Sequence, residues 1–333
     1  MGVSVKDVAA AAGVSVGTVS NVLNRPEKVA AETVTRVQSA IERLGFVRND
    51  AARQLRVGRS RAIGLVVLDT ANPFFAEVAR GAEERAAAED LAVLLGNSDH
   101  LRDREDAYLD LFREQRVNGV LLTPTARDAW PIERLRAAGI PVVLVDAEDH
   151  ERRVPSVAVD DVEGGFLAAA HLLALGRRRL AFVGGPAHVR QVADRLAGAR
   201  RALDAVSDAT LEVVDVDALT VLAGRRVGDA LAARAPADRP DAVFCANDLL
   251  AVGLLQGAAI LGGIRVPEQL ALIGYDDIDF AATAVVPLSS IRQPARSIGA
   301  SAVELLLETL DDPAATRAVR FRPELVVRAS TGS

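Results

Sequence analysis

The sequence predicts a small all-α head followed by an α/β body of two doubly wound, parallel-sheet lobes. Three observations carry that expectation. Residues 5–45 hold three short helical apolar series, the first two separated by a glycine turn. From Ile63 the pattern changes to continuous apolar runs alternating with amphipathic stretches, which is how a parallel sheet covered on both faces reads. After Asp161 the same alternation starts again, so the body is two halves rather than one.

In the head, Val5, Val8, Ala9 and Ala12 fall at i, i+3, i+4 and i+7, one apolar helix face. Ser4 with Asp7 forms an N-cap pair before that run, and Gly13 offers a left-handed turn after it. Ser15 caps a second helix in which Val19 and Leu23 face inward and Val16, Gly17, Ser20 and Asn21 face out. Val34, Val37, Ile41 and Leu44 make a third series, closed by Gly45. Two short helices about a glycine turn read as a helix-turn-helix, the unit that lays its second helix in a DNA major groove.

Charge distribution points the same way. The net charge is −6, which alone argues against a polyanionic partner. Residues 1–60, however, carry nine Lys/Arg against five Asp/Glu, a balance of +4 that leaves −10 for the rest. A basic head on an acidic body suits phosphate contact by the head. The single cysteine, Cys245, excludes an internal disulfide and lies in an apolar strand-like setting, AVFCAN, that fits a small core residue. No run of eighteen apolar residues occurs and the chain opens on a capped helix, so we expect a cytoplasmic protein with no membrane partner.

VKDVAAAAGVSVGTVSNVLN (5–24) and VAAETVTRVQSAIERLGFVRNDAARQL (29–55) resemble the lactose-repressor (LacI/GalR) family of bacterial transcription regulators. The likeness runs through nearly all of the chain. It implies a helix-turn-helix domain over 1–46, a hinge over 47–60 and an effector-binding and dimerisation domain over 61–333. On the recognition helix it assigns base reading to Val16 and Gly17, with Ser20 nearby. Thr18, Asn21 and Asn24 are placed for phosphates or mixed contacts, and Arg25 and Lys28 for the DNA backbone. Members of the family carry larger side chains at the two leading positions; neither Val16 nor Gly17 can make a bidentate hydrogen bond, so no operator sequence can be derived. Ala30 and Ala31 stand where the family often has a Ser or Thr cap, a loss worth about 1 kcal/mol. By match to the hinge motif, Leu55 is the wedge that enters the minor groove and Arg56 its accompanying cation.

The body reads in order as strands IGLVVLD, LAVLLGNS, GVLLTP, PVVLVD and SVAVD, with helices over 76–88, 102–115 and 131–138 between the earlier ones. The second half has helix 163–175, strand LAFVGG, helix 191–206, strand LEVVDV, helix 221–234, strand AVFCAN, helix 249–261 and strand LALIGYDD. The tail adds strand LSSIRQ, helix 297–310 and strands near 318–321 and 324–328. In this family the chain crosses between lobes three times, which implies lobe one as 61–160 with 290–319 and lobe two as 161–289 with 320–333. The architecture implied is of periplasmic-binding-protein type, with a ligand cleft at the C-terminal ends of the strands.

Polar residues just past strand ends are therefore the cleft candidates. Lobe one offers Asn72 with Phe74, the latter as an apolar wall, then Asn97, Thr123 with Thr125, and Asp146; lobe two offers Asp160, Arg195, Asn247 with Asp248, and Asp276. The resemblance singles out Arg195, Asn247 and Asp276 as effector anchors, and fixed donors and acceptors of that kind suit a polyhydroxylated ligand. Against a ligand role, Arg195 could simply pair with Asp194 or a neighbouring acid, and Asp248 is expected to cap the helix that follows it.

Catalysis finds little support. G-x-G-x-x-G and G-x-x-x-x-G-K-[ST] are lacking, and the four histidines are isolated, so neither an enzyme nor a cofactor or metal is expected. The resemblance implies a repressor acting as a homodimer or tetramer on a palindromic double-stranded operator, under control of a small polar effector, a sugar or sugar derivative. Two alternatives stay open: a nucleobase- or nucleoside-responsive regulator of the same family, and a sugar-binding protein with no DNA role.

Overall fold

The computed structural model describes residues 3–46, 60–126, 130–149, 151 and 153–332, and the chain divides into two compact units, 1–59 and 60–333. In the first unit, α1 (Val5–Ala12) begins with a reciprocal cap. The Ser4 hydroxyl accepts from the Asp7 N–H, and Asp7 Oδ2 accepts from the Ser4 N–H at 2.8 Å. Gly13 takes φ +65°, a left-handed turn that a side chain would strain. Next come α2 (Val16–Asn24) and α3 (Ala31–Leu44), the latter with no side-chain cap at Ala30.

The head core is Val8, Val19 and Val37, all fully buried, with Ala9, Ala12, Val22, Ala40 and Phe46 around them. Leu23 packs against this core half-buried, as expected, and Val22 joins it as a further buried residue, so the inward face of α2 takes in both i+3 and i+4 from Val19. Small Ala and Val side chains let the three helices approach closely, and Phe46 fills the remaining volume.

The second unit holds two six-stranded sheets. Its first half supplies β1 (Ala62–Val67), α4 (Pro73–Ala87), β2 (Ala92–Asn97), α5 (Arg102–Glu114), β3 (Val120–Leu122), α6 (Trp130–Ala137), β4 (Val142–Val145) and β5 (Ser156–Val159). The second half supplies α7 (Asp161–Ala174), β6 (Arg179–Gly184), α8 (Arg190–Leu203), β7 (Thr210–Asp215), α9 (Val221–Ala233) and β8 (Ala242–Cys245). It continues with α10 (Asp248–Leu255), which runs into a π-helical turn over Gln256–Leu261, then β9 (Ala271–Asp276), α11 (Asp279–Thr283) and β10 (Ser289–Arg292). The tail is α12 (Ala295–Asp311), β11 (Ala318–Phe321) and β12 (Glu324–Val326).

The strand order is β11-β5-β4-β3-β1-β2 in one sheet and β12-β10-β9-β8-β6-β7 in the other. All pairings are parallel except β10 with β12. β3, β4, β8 and β9 are buried end to end and β1 all but its first residue, as continuous apolar runs require when helices cover both faces.

The expected lobe boundaries need correction at the two tail crossings. β10 pairs Ser289 with Ile273 and Arg292 with Asp276, so the second lobe keeps the chain to residue 292 rather than releasing it at 289. β11 pairs with β5 through Phe321, so the return crossing falls after 321, not 319. Among the described residues, no helix is long and apolar enough to cross a membrane.

Candidate functional site

On the head, Ser15 Oγ accepts from the Thr18 N–H at 3.0 Å and lies 2.9 Å from Thr18 Oγ1, fixing the first turn of α2. Val16 is 46% exposed, and Gly17 and Asn21 are exposed beside it. Thr18 and Ser20 are half-buried, and Asn24 Nδ2 donates to the Ser20 carbonyl at 2.7 Å. Arg25 and Lys28 are exposed where the chain leaves α2. Leu55 and Arg56 lie outside the described residues.

In the body, Arg195 projects from α8 and is 4% exposed. Its Nε donates to Asp161 Oδ1 at 2.8 Å and its Nη1 to the Ala246 carbonyl at 2.7 Å. The guanidinium lies 3.6 Å over the Tyr275 ring, and Nη1 stands 3.9 Å from Asp276 Oδ1. Burial opposes its charge, but the acids Asp161, Asp276 and Asp146 and the Tyr275 hydroxyl hold its pKa above the ordinary arginine value. Helices α7 and α8 come close enough for this because Gly165 has no side chain; a Cβ there would sit 2.0 Å from the Arg195 carbonyl oxygen.

Asp276 ends β9 with φ +103°, a backbone conformation that costs energy in a non-glycine residue. Its two oxygens accept from Gln293 Nε2 at 2.8 Å and from Asn72 Nδ2 at 2.9 Å. Asn72 belongs to the other lobe, where its Oδ1 caps α4 at the Phe74 N–H, 3.0 Å away. A second bridge between lobes joins Gln191 Nε2 to Asp146 Oδ2 at 2.9 Å and to its carbonyl at 3.0 Å. Asp146, at φ +52° after β4, has its other oxygen buried without a hydrogen bond. Burial first, then the nearby Asp161 charge, pushes its carboxyl up to about 7, against the pull of Arg195 and Gln191. Burial likewise raises Asp276, against Arg195, Asn72 and Gln293.

A cavity of about 30 Å³ is lined by Asn72, Phe74, Asp146, Arg195, Asn247 and Asp276 among others. It shares Leu68, His100, Val189 and Gln191 with a second cavity of about 140 Å³. Six of the eleven cleft candidates thus meet on one small chamber, and Thr125 lines the larger cavity. The other four, Asp248 among them, line neither. Asn97 Oδ1 accepts from the Thr70 N–H at 3.2 Å, Thr123 is fully buried past β3, and Asp160 caps α7 at the Glu163 N–H.

Asp194 pairs with Arg190, at 3.2 Å, and the neighbouring acid that Arg195 takes is Asp161. One local expectation is overturned. Asn247, not Asp248, caps α10, accepting from the Leu250 N–H at 2.9 Å while its Nδ2 donates to the Leu219 carbonyl. Asp248 turns inward instead and accepts from the Ile278 N–H and the Ser290 hydroxyl. Sequence reasoning missed Asp161, Gln191, Tyr275 and Gln293. Gln191 was signalled by its place one helical turn before Arg195, and Gln293 by its place just past a strand end. Among the described residues, no group of three or more His, Cys, Asp or Glu could hold a metal ion.

Comparison with known proteins bears on both parts. Residues 4–49 match the model of the bacterial regulatory proteins, lacI family, and residues 169–331 that of a periplasmic binding protein-like domain. The chain is 33% identical over 333 residues to the HTH-type transcriptional repressor PurR of Aliivibrio fischeri, covering 99% of this chain and 98% of that protein. It is 35% identical over 329 residues to the ribose operon repressor of Bacillus subtilis, covering 98% of each. Its fold is similar to the lac repressor dimer bound to operator and the anti-inducer ONPF, with a TM-score of 0.84, 26% identity and both chains covered in full. The chain belongs to the LacI family of bacterial regulatory proteins and is a DNA-binding transcriptional repressor of that family.

Proposed function

We propose that operator affinity in this repressor is controlled by a small, hydroxyl-rich effector, a sugar or sugar derivative, held between the lobes by Arg195, Asp276, Asp146 and Asn247. The observation that carries this reading is the buried Arg195–Asp276 pair on the chamber wall, 3.9 Å apart, with Asn72 reaching Asp276 from the opposite lobe. A guanidinium with rigid partners and a carboxylate beside it offer a vicinal diol one donor and one acceptor set. The strained backbones of Asp146 and Asp276 at the same spot fit a site selected for geometry rather than for stability. Similarity to the ribose operon repressor over the full chain supports a sugar; similarity to a repressor named PurR favours a second reading, a nucleobase or nucleoside.

On the DNA side, Val16 and Gly17 approach base edges, Thr18, Ser20, Asn21 and Asn24 make phosphate or mixed contacts, and Arg25 and Lys28 hold the backbone. The exposure of Val16, Gly17 and Asn21 on a capped helix supports this. Leu55 and Arg56 act from residues 47–60, the hinge between domain 1–46 and domain 61–333. Two copies related by a two-fold axis meet a palindromic operator, and the effector changes DNA affinity by shifting the lobes, a coupling that acts equally in both directions.

Thermal unfolding of the full chain against a panel of sugars, nucleobases and nucleosides tests the effector, since a bound ligand raises Tm by mass action. Operator binding is then measured with and without each hit, at rising salt. We expect a steep negative salt slope and a hit that changes the operator Kd. A hit that stabilises the protein yet leaves operator binding unchanged would refute the regulatory reading.

A further inference from the structure

Strand β7 and helix α9, both in the second lobe, enclose a cavity of about 240 Å³ that shares no lining residue with the two interlobe cavities. It originates in the packing of α9. Gly224 and Gly228 seat that helix directly on α10, where a Cβ would meet the Leu250 and Leu254 carbonyl oxygens at 2.1 and 2.5 Å. The flank beside this contact carries Ala223, Val227, Ala230 and Leu231, one helix face, and the space between it and β7 is left unfilled. β7 is the edge of its sheet. Successive strand residues face opposite ways, so a cavity lined by all of 214–217 runs along that edge, where one row of backbone N–H and C=O groups has no strand partner.

The cavity has an apolar floor and two charged sides. Ala223 and Leu231 are buried along the floor, and Val214, Val216 and Val227 half-buried. Arg226 and Arg234 stand on the helix side, Asp215 and Asp217 on the strand side. Arg234 is engaged, donating to the two Glu212 carboxylate oxygens at 2.7 and 2.8 Å. Among the described residues, no side-chain hydrogen bond or ion pair is made by Arg226, Asp215 or Asp217. One unpaired cation thus lines one side of the cavity and two unpaired anions the other.

A ligand that uses all of this brings a carboxylate for Arg226, an ammonium for the aspartates and a short apolar body for the floor. A diamine leaves Arg226 unmet, a dicarboxylate is repelled by the aspartates, and a sugar brings no charge to either side. An apolar cavity of ~150 Å³ takes up benzene, so on the order of ten heavy atoms fit here, and leucine is of that size. We infer that the second lobe carries a ligand site of its own, between β7 and α9, for a free aliphatic α-amino acid of the leucine or valine class. Its carboxylate meets Arg226, its ammonium the side of Asp215 and Asp217, and its side chain Val227 and Leu231.

The experiment titrates L-leucine, to millimolar concentration, into the full chain with valine and leucine methyl groups labelled for NMR. Saturable shifts are expected at Val227 and Leu231. Isocaproate, which lacks the ammonium, and isopentylamine, which lacks the carboxylate, should each bind at least about fivefold more weakly, as loss of a charge-assisted hydrogen bond would give. Arg226→Ala should weaken leucine and leave isopentylamine unchanged, while Asp217→Asn weakens leucine and the amine and spares isocaproate. Both side chains are exposed and partnerless, so neither variant should lower Tm. Unmoved Val227 and Leu231 methyls in the wild-type chain overturn the proposal without recourse to any variant, and so does equal binding of leucine, isocaproate and isopentylamine. Leucine binding that survives Arg226→Ala and is lost in Arg195→Ala places the amino acid in the interlobe cleft and overturns it as well. Failure of the sugar reading of that cleft leaves this site untouched, because the two share no residue.

Discussion

Asn72 and Asp276, 204 residues apart in the chain, share a 2.9 Å hydrogen bond that ties one lobe to the other. The same Asn72 side chain caps α4 with its oxygen, so one residue both starts a helix and closes the cleft. Asn72→Ala removes both functions, and the lost cap and lost buried donor together are expected to cost ~2–4 kcal/mol in urea unfolding. Asn72→Asp restores the cap but sets a carboxylate against Asp276. It should recover part of the stability while leaving the lobes further apart in small-angle scattering. A scattering profile identical to wild type would show that this bond does not hold the cleft closed.

Arg195 has Asp161 on one side, the Tyr275 ring beneath and Asp276 beyond, all buried. Removing one partner of a buried charge cluster strands the rest. Arg195→Ala is therefore expected to lose ~3–5 kcal/mol, and Asp161→Asn added to it should return part of that loss. Double-mutant unfolding curves measure this directly; strictly additive losses would mean the two groups do not interact.

Much of this arrangement was legible in the chain, and the exceptions have physical causes. Buried parallel strands such as VVLV and AVFC announce themselves because every residue is apolar, and the restart after Asp161 marks the second sheet. Strand β10 reads SSIR, with two serines whose hydroxyls bond Asp248, Asp277 and the tail; their burial is visible only with those partners in place. The pairs Asp160–Asp161 and Asn247–Asp248 each put two side chains capable of capping at a helix start. Which one caps and which points inward depends on a backbone angle that sequence does not reveal: Asp160 caps and Asp161 meets Arg195, while Asn247 caps and Asp248 is buried. Asp146, Asn247 and Asp276 were found because they stand at strand ends, and Arg195, on a helix, through the resemblance. Gln191 and Tyr275 act from a helix and from within a strand, where the same rule does not look.

Asp146 gives a pH dependence with a definite sign. Its folded pKa is raised from 3.8 to about 7, so folding favours the protonated acid. The contribution is fully present below the unfolded value and is lost as pH rises to about 7. His100, lowered by burial, works oppositely, losing stability as pH falls, and must be separated out. Asp146→Asn does so, because every other group is common to both proteins. The variant should gain on wild type by on the order of 3 kcal/mol as pH rises from acid to neutral. Parallel Tm curves for the two proteins across that range would mean Asp146 ionises in the cleft without cost.

Ser15 tests the DNA-binding face from a residue not itself assigned to DNA, although its hydroxyl meets that of Thr18 at 2.9 Å. It caps α2 through the Thr18 N–H at 3.0 Å and stands clear of the Val8, Val19 and Val37 core. Ser15→Ala is expected to lower helix stability by about 1 kcal/mol and to weaken operator and nonspecific DNA alike, through a frayed first turn. Ser15→Asp keeps a capping acceptor and complements the helix dipole, so the fold should recover. Its carboxylate, however, would face phosphate. Operator binding by Ser15→Asp should therefore stay weak at low salt and approach that of wild type as salt rises, because wild-type affinity falls more steeply. Full recovery of affinity at low salt would place the phosphates elsewhere and remove α2 from the interface.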